Sequence, residues 1–235
     1  MGAKVYNMRK ISTDGNPMLS KLCCALLLSV SCMTYAEPFN ISLLKNQIES
    51  YQQSGDYLRE VAQVNARAEK FIFQEVGKNA ERKNPKNLAI VLDIDETSIS
   101  NFKYIKEREY SSDYNRIQEE ILRADAPAIP STRALYKKAL EKGVKVFFVT
   151  GRTASLKAAT IKNLKSAGYT HWEGLFFKPS NYKEKSIVPF KSGIRKKISE
   201  KGYTIVASIG DQMSDLTGGY ALKGFKLPNP FYYLH

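Results

Sequence analysis

Apolar positions recur every three or four residues in the first part of the chain and form short unbroken runs in the rest. Over residues 40–80 this spacing predicts two helices, the first capped by Asn40 and ending near Gly55, and the second beginning at Asp56. A polar, proline-containing stretch then stops the pattern. The unbroken apolar run that follows it predicts a fully buried strand over 88–93.

Beyond residue 130, apolar runs alternate with amphipathic segments. Strands are predicted at 144–149, 175–177 and 204–209, and helices at 131–142, 154–167 and 193–201. Strands that alternate with helices are joined by right-handed crossovers, so we expect an α/β protein with a mostly parallel sheet. No repeat or linker interrupts residues 37–235, which are therefore predicted to form one domain with two N-terminal helices.

Residues 102–130 interrupt this alternation directly after the first strand. We predict a small helical cap insertion here, placed over the carboxyl end of that strand. An aromatic ring of Phe102, Tyr104, Tyr110 or Tyr114 would be placed to stack on a nucleobase, although packing within the cap is the simpler explanation of these rings.

Residues 1–36 have the layout of a secretory signal peptide, with a short basic start, an apolar run over 22–33 and small residues at the cleavage position. The run is shorter than the roughly 20 residues that span a bilayer. Because a polar segment precedes this layout, we expect translation to start at Met18. A soluble periplasmic or secreted protein follows; lipid attachment at Cys32 is disfavoured because Ser29 stands where a lipobox usually carries Leu.

The net charge and the positions of the cysteines limit the kinds of ligand and metal site that this chain can have. The leader contains four basic residues and one acidic residue, so the net charge of +13 falls to about +10 without it. The lysines are scattered and no nucleic-acid-binding motif accompanies them, which favours a small anionic substrate over a nucleic acid polymer or stable membrane insertion. All three cysteines lie in the leader, so the remaining chain has neither disulfides nor thiolate metal sites.

Two aspartates one residue apart, Asp93 and Asp95, follow the first buried strand. Carboxylates at this end of a parallel strand occupy the usual ligand position of an open α/β sheet. Asp93 can attack a phosphorus atom and form an acyl-phosphate. Asp95, on the same side of the strand, can protonate the leaving oxygen and later take a proton from water, and its backbone carbonyl can reach a metal.

Later segments supply the partners that this chemistry needs. Thr150 and the Gly151 amide can hold phosphoryl oxygens, and Lys191 can offset the negative charge on nucleophile and phosphate. Asp211, with Asp93, can bind Mg²⁺, and Asp215 one helical turn later can bind or orient the metal waters. These are the parts of an Mg²⁺-dependent phosphohydrolase. Lys191 is the least secure assignment because other lysines lie nearby (Lys178, Lys183 and Lys185).

The sequence does not contain the residues or motifs that other nucleophilic mechanisms need. His171 follows no strand and has no nucleophile motif around it, and His235 is the last residue. The sequence also contains neither a Gly-x-Ser-x-Gly elbow nor a P-loop.

Five segments together resemble the haloacid-dehalogenase (HAD) superfamily, and within it subfamily IIIB, the class B-like acid phosphatases that include plant acid phosphatases and vegetative storage proteins. They are Val91–Thr97, Phe148–Arg152, Phe190–Ser192, Gly210–Leu216 and the tail Phe225–Tyr233. General phosphatase chemistry does not require this tail.

The resemblance implies a Rossmann-like core with a small cap, Mg²⁺ dependence and hydrolysis of phosphomonoesters. By position it makes Asp93 the nucleophile, Asp95 the acid/base, and Thr150 and Lys191 the phosphate-holding residues. It makes Asp93, Asp95 and Asp211 the metal ligands.

Three alternatives stay open at this point. A storage or binding protein with little turnover is a different class on the same fold, and the intact set of Asp93, Asp95, Lys191 and Asp211 argues against it. Phosphotransfer to an alcohol is not distinguished from hydrolysis by the sequence. A basic nucleic-acid-binding module would require no metal and would lose affinity steeply with salt. A homodimer is a further expectation for this chain.

Overall fold

The computed structural model describes residues 38–234. The expected signal peptide at 1–36, the start at Met18 and Cys32 therefore lie outside the described residues. Residues from Ser42 onward form one compact unit. Within the described range, every helix is too short or too polar to cross a membrane.

Seven α-helices of the described chain surround the sheet. They are α1 (Ile41–Gln53), α2 (Asp56–Ala80), α3 (Phe102–Glu107), α4 (Tyr114–Arg123), α5 (Pro130–Glu141), α6 (Lys157–Ser166) and α7 (Val188–Glu200). Short 3₁₀ turns at Ala154–Leu156 and Met213–Asp215 follow the second and fourth strands.

Five parallel strands form the sheet in the spatial order β3-β2-β1-β4-β5. They are β1 (Asn87–Leu92), β2 (Lys145–Thr153), β3 (Gly174–Lys178), β4 (Tyr203–Gly210) and β5 (Lys223–Lys226). The chain moves outward from β1 to β3 and then returns to the other side of β1. This reversal of strand order places a crevice at the carboxyl ends of β1 and β4, where open α/β sheets bind ligands.

Alternate residues of β1 face opposite sides of the sheet. Leu88, Ile90 and Leu92 enter the larger core with α2 and α5, whereas Ala89 and Val91 enter a smaller core against α7. All five side chains are buried, which explains why this strand reads as an unbroken apolar run.

The α/β class and the parallel sheet predicted from the sequence are confirmed. The boundaries of most elements differ from the predicted ones by one or two residues. The larger differences are that β2 runs on to Thr153, α6 begins at Lys157 and α7 begins at Val188. Pro at the start of α7 supplies a helix-start signal that the apolar pattern did not reveal. Strand β5 was not predicted, because a four-residue strand with two lysines carries no hydrophobic pattern.

The segment after β1 contains the two short helices α3 and α4. Asp113 caps α4, since its side chain accepts hydrogen bonds from the backbone N–H groups of Asn115 and Arg116. A buried ion pair of 2.6 Å between Arg108 and Glu120 ties the two helices together.

Candidate active site

Asp93 lies immediately after β1, at the carboxyl edge of the sheet. Its backbone N–H donates to the Ile209 carbonyl at 3.0 Å, so the first residue beyond the strand is still held against β4. Its carbonyl accepts from the Ser98 hydroxyl at 2.6 Å. The side chain is thus presented from a backbone fixed on both sides, which suits a group that must attack at a defined point.

Lys191 brings a buried positive charge to this aspartate. From the first turns of α7 its Nζ donates to an Oδ atom of Asp93 at 2.9 Å and also to Asp215. Burial alone would lower the pKa of Lys191, but the two carboxylates raise it above the usual lysine value. The lysine is therefore a permanent cation, as the sequence-based assignment requires.

Three buried carboxylates converge at this point. Oxygen atoms of Asp93, Asp211 and Asp215 lie within 4.8 Å of one another. Burial, followed by the charge of Asp215, raises the pKa of both Asp93 and Asp211, with Lys191 acting in the opposite direction. One lysine cannot neutralise three carboxylates, so the cluster suits a further cation.

The Asp211 carboxylate is oriented by three donors. Thr97 donates to Oδ1 at 2.9 Å, while Gln212 and Asn229 donate to Oδ2 at 2.7 and 2.6 Å. Asp215 is held separately, because the Gln212 backbone N–H donates to it at 2.9 Å. These contacts fix both side chains before any ligand arrives.

Gly210, the last residue of β4, makes room for this arrangement. A Cβ atom at this position would collide with the Asp215 carboxylate. The glycine is therefore required by the close approach of the acidic side chain to the strand end.

Asp95 lies outside the carboxylate cluster and contacts Arg152. The guanidinium Nη2 and Nε donate to Asp95 at 2.6 and 3.0 Å, and Asn101 Nδ2 adds a bond of 2.8 Å. Burial alone would raise the pKa of Asp95, but Arg152 and Asn101 hold it below its usual value. The carboxyl oxygens of Asp95 are thus taken up by Arg152 and Asn101, and the charged form of Asp95 is favoured. The metal contact predicted for Asp95 through its backbone carbonyl stays a prediction.

Thr150 and Gly151 lie where β2 loses its regular pairing with β3. The Thr150 side chain is fully buried and its hydroxyl accepts from the Arg152 backbone N–H at 3.1 Å, so it shapes the turn. Gly151 lines the cavity. Their roles in holding phosphate stay predictions.

A cavity of about 510 Å³ opens above these groups. Its polar floor contains Asp93, Asp95, Gly151, Lys191 and Asp211. Its wall is formed by side chains of the helical insertion, by residues after β3 and by the end of the chain, among them Tyr110, Tyr114, Ile117, Tyr182 and Phe231. Of the four aromatic residues considered for base stacking, Tyr110 and Tyr114 line the cavity; Phe102 packs on Phe231, and the Tyr104 hydroxyl donates to Asp125.

Sequence reasoning gave no role to several residues that hold this site together, among them Asn101, Arg152, Asn229 and Tyr232. Arg152 belonged to a recognised motif, yet only its threonine and glycine were given roles. Asn229 and Tyr232 lie in the tail noted for its resemblance, which was the one signal available for them. Asn101 has no signal of its own, because it reaches Asp95 only through the turn after β1.

Comparisons with known proteins find relatives of this chain by sequence and by fold. The family model described as "HAD superfamily, subfamily IIIB (Acid phosphatase)" matches residues 15–235. Stem 28 kDa glycoprotein of Glycine max is 41% identical over 157 residues, which cover 64% of this chain and 61% of the relative. Acid phosphatase 1 of Solanum lycopersicum is 36% identical over 148 residues (61% and 58%), and vegetative storage protein 1 of Arabidopsis thaliana is 33% identical over 151 (61% and 54%). The chain thus spans between about half and three fifths of the length of these relatives.

Among solved structures, the class C acid phosphatase from Bacillus anthracis is similar with a TM-score of 0.67 and 22% sequence identity. The match covers 82% of this chain and 86% of that chain. At this level of identity the likeness shows a shared fold.

Proposed function

Because this chain belongs to the HAD superfamily, in its subfamily IIIB of acid phosphatases, we propose that it is a divalent-metal-dependent phosphomonoesterase with Asp93 as its nucleophile. The observation that carries the proposal is the placement of Asp93 at the cavity floor, 2.9 Å from Lys191 and beside Asp211 and Asp215. A nucleophilic carboxylate with a buried cation and two further acids is the arrangement that attack on an anionic phosphate needs.

The carboxylate cluster fits Mg²⁺ as the metal. Oxygen ligands from a few carboxylates are what this hard cation prefers, with water and substrate phosphate completing its coordination. Asp93 and Asp211 would hold it together with the Asp95 backbone carbonyl, and Asp215 would orient its waters. When bound, Mg²⁺ supplies charge neutralisation between the nucleophile and the phosphoryl oxygens.

The chain's own residues account for both halves of the reaction. In the first, an oxygen of Asp93 forms a bond to phosphorus, the ester P–O bond breaks, and the leaving oxygen takes a proton from Asp95. In the second, a water oxygen attacks phosphorus while Asp95 takes a proton from that water, and the bond between the Asp93 oxygen and phosphorus breaks. Phosphate leaves and Asp93 is again a free carboxylate; Asp95 again carries a proton, as it did when substrate was bound, and releases it to solvent once phosphate has left.

Arg152 sets the starting protonation state of Asp95. The ion pair favours the carboxylate, which is the form that acts as a base in the second half-reaction. A bound phosphate adds negative charge and competes for the guanidinium, and both effects raise the pKa of Asp95. Protonation of the acid is thereby linked to substrate binding.

The substrate we propose is a small phosphomonoester. The cavity accommodates a leaving group of moderate size, and Tyr110 and Tyr114 supply apolar surface that a nucleoside or another ring can contact. We further propose, from the leader pattern alone, that the protein is exported. N-terminal sequencing of the secreted or periplasmic product would identify the cleavage site, and retention of an intact leader in the cytoplasm would contradict export.

A storage role is the second candidate, because some of the related proteins are named vegetative storage proteins. This chain keeps the aspartates and the lysine that the proposed reaction uses, and holding the buried carboxylates of Asp93, Asp211 and Asp215 together costs free energy that a storage role does not require.

The experiment that separates the two is hydrolysis of p-nitrophenyl phosphate by the purified protein with Mg²⁺ and with EDTA, beside Asp93→Asn. We expect turnover that EDTA abolishes and that Asp93→Asn lacks. The absence of turnover from pH 4 to 8 with any divalent metal, in folded protein, would contradict the phosphatase proposal and favour storage.

A further inference from the structure

The C-terminal segment 227–234 crosses the edge of the site after β5. At its start the Leu227 backbone N–H donates to the Gly210 carbonyl at 2.9 Å. Near its end the Leu234 N–H donates to Gln212 Oε1 at 3.2 Å. Both anchors lie beside Asp211, so the segment is tied to the same strand end that carries this carboxylate.

The middle of the segment is packed into the core. Phe231 is buried, and its ring lies 5.1 Å from the Tyr57 ring and 5.2 Å from the Phe102 ring, measured between centroids. This anchoring to α2 and α3 holds the residues on either side of Phe231 at fixed positions.

Asn229 uses its two side-chain atoms differently. Oδ1 accepts from the backbone N–H groups of Phe231 and Tyr232 at 2.8 and 3.3 Å, which closes a local turn. Nδ2 donates to Asp211 Oδ2 at 2.6 Å. The turn therefore fixes the position of the Asn229 side-chain amide, and this amide orients the Asp211 carboxylate.

Tyr232 reaches the acid/base side of the cavity. Its hydroxyl donates to Glu96 Oε2 at 2.9 Å, and Glu96 also accepts from the Asn101 backbone N–H at 2.5 Å. Asn101 in turn donates its amide Nδ2 to Asp95 at 2.8 Å. Glu96 has a left-handed backbone (φ 50°), an uncommon conformation for this residue type that its side-chain contacts help to hold.

We propose that segment 227–234 positions both halves of the chemistry, with Asn229 fixing Asp211 and Tyr232 fixing Asp95 through Glu96 and Asn101. The inference rests on the proposed function and gives a role to the tail, which general phosphatase chemistry leaves unexplained. Partners that orient ligating groups commonly change metal affinity by about 10- to 100-fold when removed.

Asn229→Ser tests the metal side. A serine hydroxyl can still accept within the turn but is too short to reach Asp211. By titration calorimetry with Mg²⁺, we expect the Kd to rise roughly tenfold or more, with much of kcat recovered at saturating Mg²⁺. Asn163→Ser is the matched control, because it removes a buried amide donor to the Ala126 carbonyl away from the cluster. It should lower the melting temperature and leave the Kd for Mg²⁺ unchanged.

Asn229→Asp is the second variant in case Asn229→Ser does not fold. It keeps the oxygen that closes the turn and presents an acceptor to Asp211 where the protein has a donor. Weaker Mg²⁺ binding is expected here too, and unchanged or tighter binding would contradict the role of the Asn229 donor.

Tyr232→Phe tests the acid/base side. An alkyl phosphate has a poor leaving group that needs protonation, whereas p-nitrophenolate leaves without it. We expect kcat/KM to fall by roughly tenfold more for the alkyl ester than for p-nitrophenyl phosphate, with the Kd for Mg²⁺ unchanged. The control is Tyr220→Phe, an exposed tyrosine outside the cavity, which should alter neither ester.

The outcomes separate this inference from the proposed function. If the unaltered protein is active and Mg²⁺-dependent, an unchanged Kd in the Asn229 variants and equal losses on both esters in Tyr232→Phe overturn the inference alone. If the unaltered protein neither binds Mg²⁺ nor hydrolyses either ester, the proposed function and the inference fail together.

Discussion

Lys191 Nζ lies 2.9 Å from an Oδ atom of Asp93 although the two residues are 98 positions apart in the sequence. The lysine comes from α7 and the aspartate directly follows β1, so the contact exists only because the crossover from β3 to β4 packs α7 against the sheet. The same Nζ also contacts Asp215, and one cation thus joins the acidic residues of two strands.

Replacing Lys191 should damage both activity and stability. Lys191→Met leaves the buried carboxylates without their cation, which typically costs about 3–5 kcal/mol for a buried pair that loses one partner. Loss of a charge that stabilises the transition state is expected to lower kcat by roughly 10²–10³-fold. Chemical denaturation and steady-state kinetics measure the two effects.

Lys196→Met is the matched control on the same helix. Its side chain is 55% exposed, so the free energy of unfolding should change by less than about 0.5 kcal/mol. Equal effects of the two substitutions would contradict the assigned role of Lys191.

Mg²⁺ should stabilise the folded protein, because only the folded chain brings Asp93, Asp211 and Asp215 together. At a concentration 100 times its Kd, a ligand adds about 2.7 kcal/mol to the free energy of unfolding. Thermal melts with Mg²⁺ and with EDTA should show this shift, and Asp211→Asn should lose most of it. Asp113→Asn, which changes a helix cap without losing its capping oxygen, should keep the shift; its loss in both variants would argue against the assigned site.

Arg152 should set the pH range of one catalytic step. Its charge lowers the pKa of Asp95 against the effect of burial, so Arg152→Met should raise that pKa. Whether Asp95 acts as acid or base, the limb of the pH–rate profile that it controls should move to higher pH. Asp95→Asn identifies that limb by removing it. A profile unchanged in Arg152→Met would show that the ion pair does not govern the titration of Asp95.

The ion pair between Arg108 and Glu120 should hold the helical insertion in place. Its side chains are 8% and 7% exposed, so Glu120→Gln leaves a buried guanidinium without its charge partner. We expect a loss of about 3–5 kcal/mol in the free energy of unfolding for this single substitution. The double replacement Arg108→Met with Glu120→Leu should cost much less in denaturation measurements, since it leaves no unpaired charge. If the double variant loses as much free energy of unfolding as the two single replacements, Arg108→Met and Glu120→Leu, lose together, the assigned role of the ion pair is contradicted.

The α/β fold and the acidic residues that follow its strands could be predicted from the sequence. Leu88 to Leu92 reads as a buried strand because both of its faces are covered, and the acids after β1 and β4 stand out against such runs. Lys191 was the least secure of these assignments, since one lysine among many carries no local signal.

Contacts between distant segments could not be read from local patterns. The predicted strand alternation that placed Asp93 and Asp95 on one side does not apply, because β1 ends at Leu92 and both residues lie in the following turn. There Asp95 turns toward Arg152, a residue 57 positions away. Asn229 reaches Asp211 in the same manner, through a tail whose turn depends on its own side chain.

The most direct test of the account is to identify the residue that carries phosphate during turnover. The protein would be mixed with radiolabelled phosphomonoester and Mg²⁺, quenched in acid within milliseconds and digested for peptide mapping. We expect a hydroxylamine-sensitive acyl-phosphate on the peptide that contains Asp93, and none in Asp93→Asn. A phosphorylated residue elsewhere, or rapid turnover with no labelled protein, would contradict the central role of Asp93.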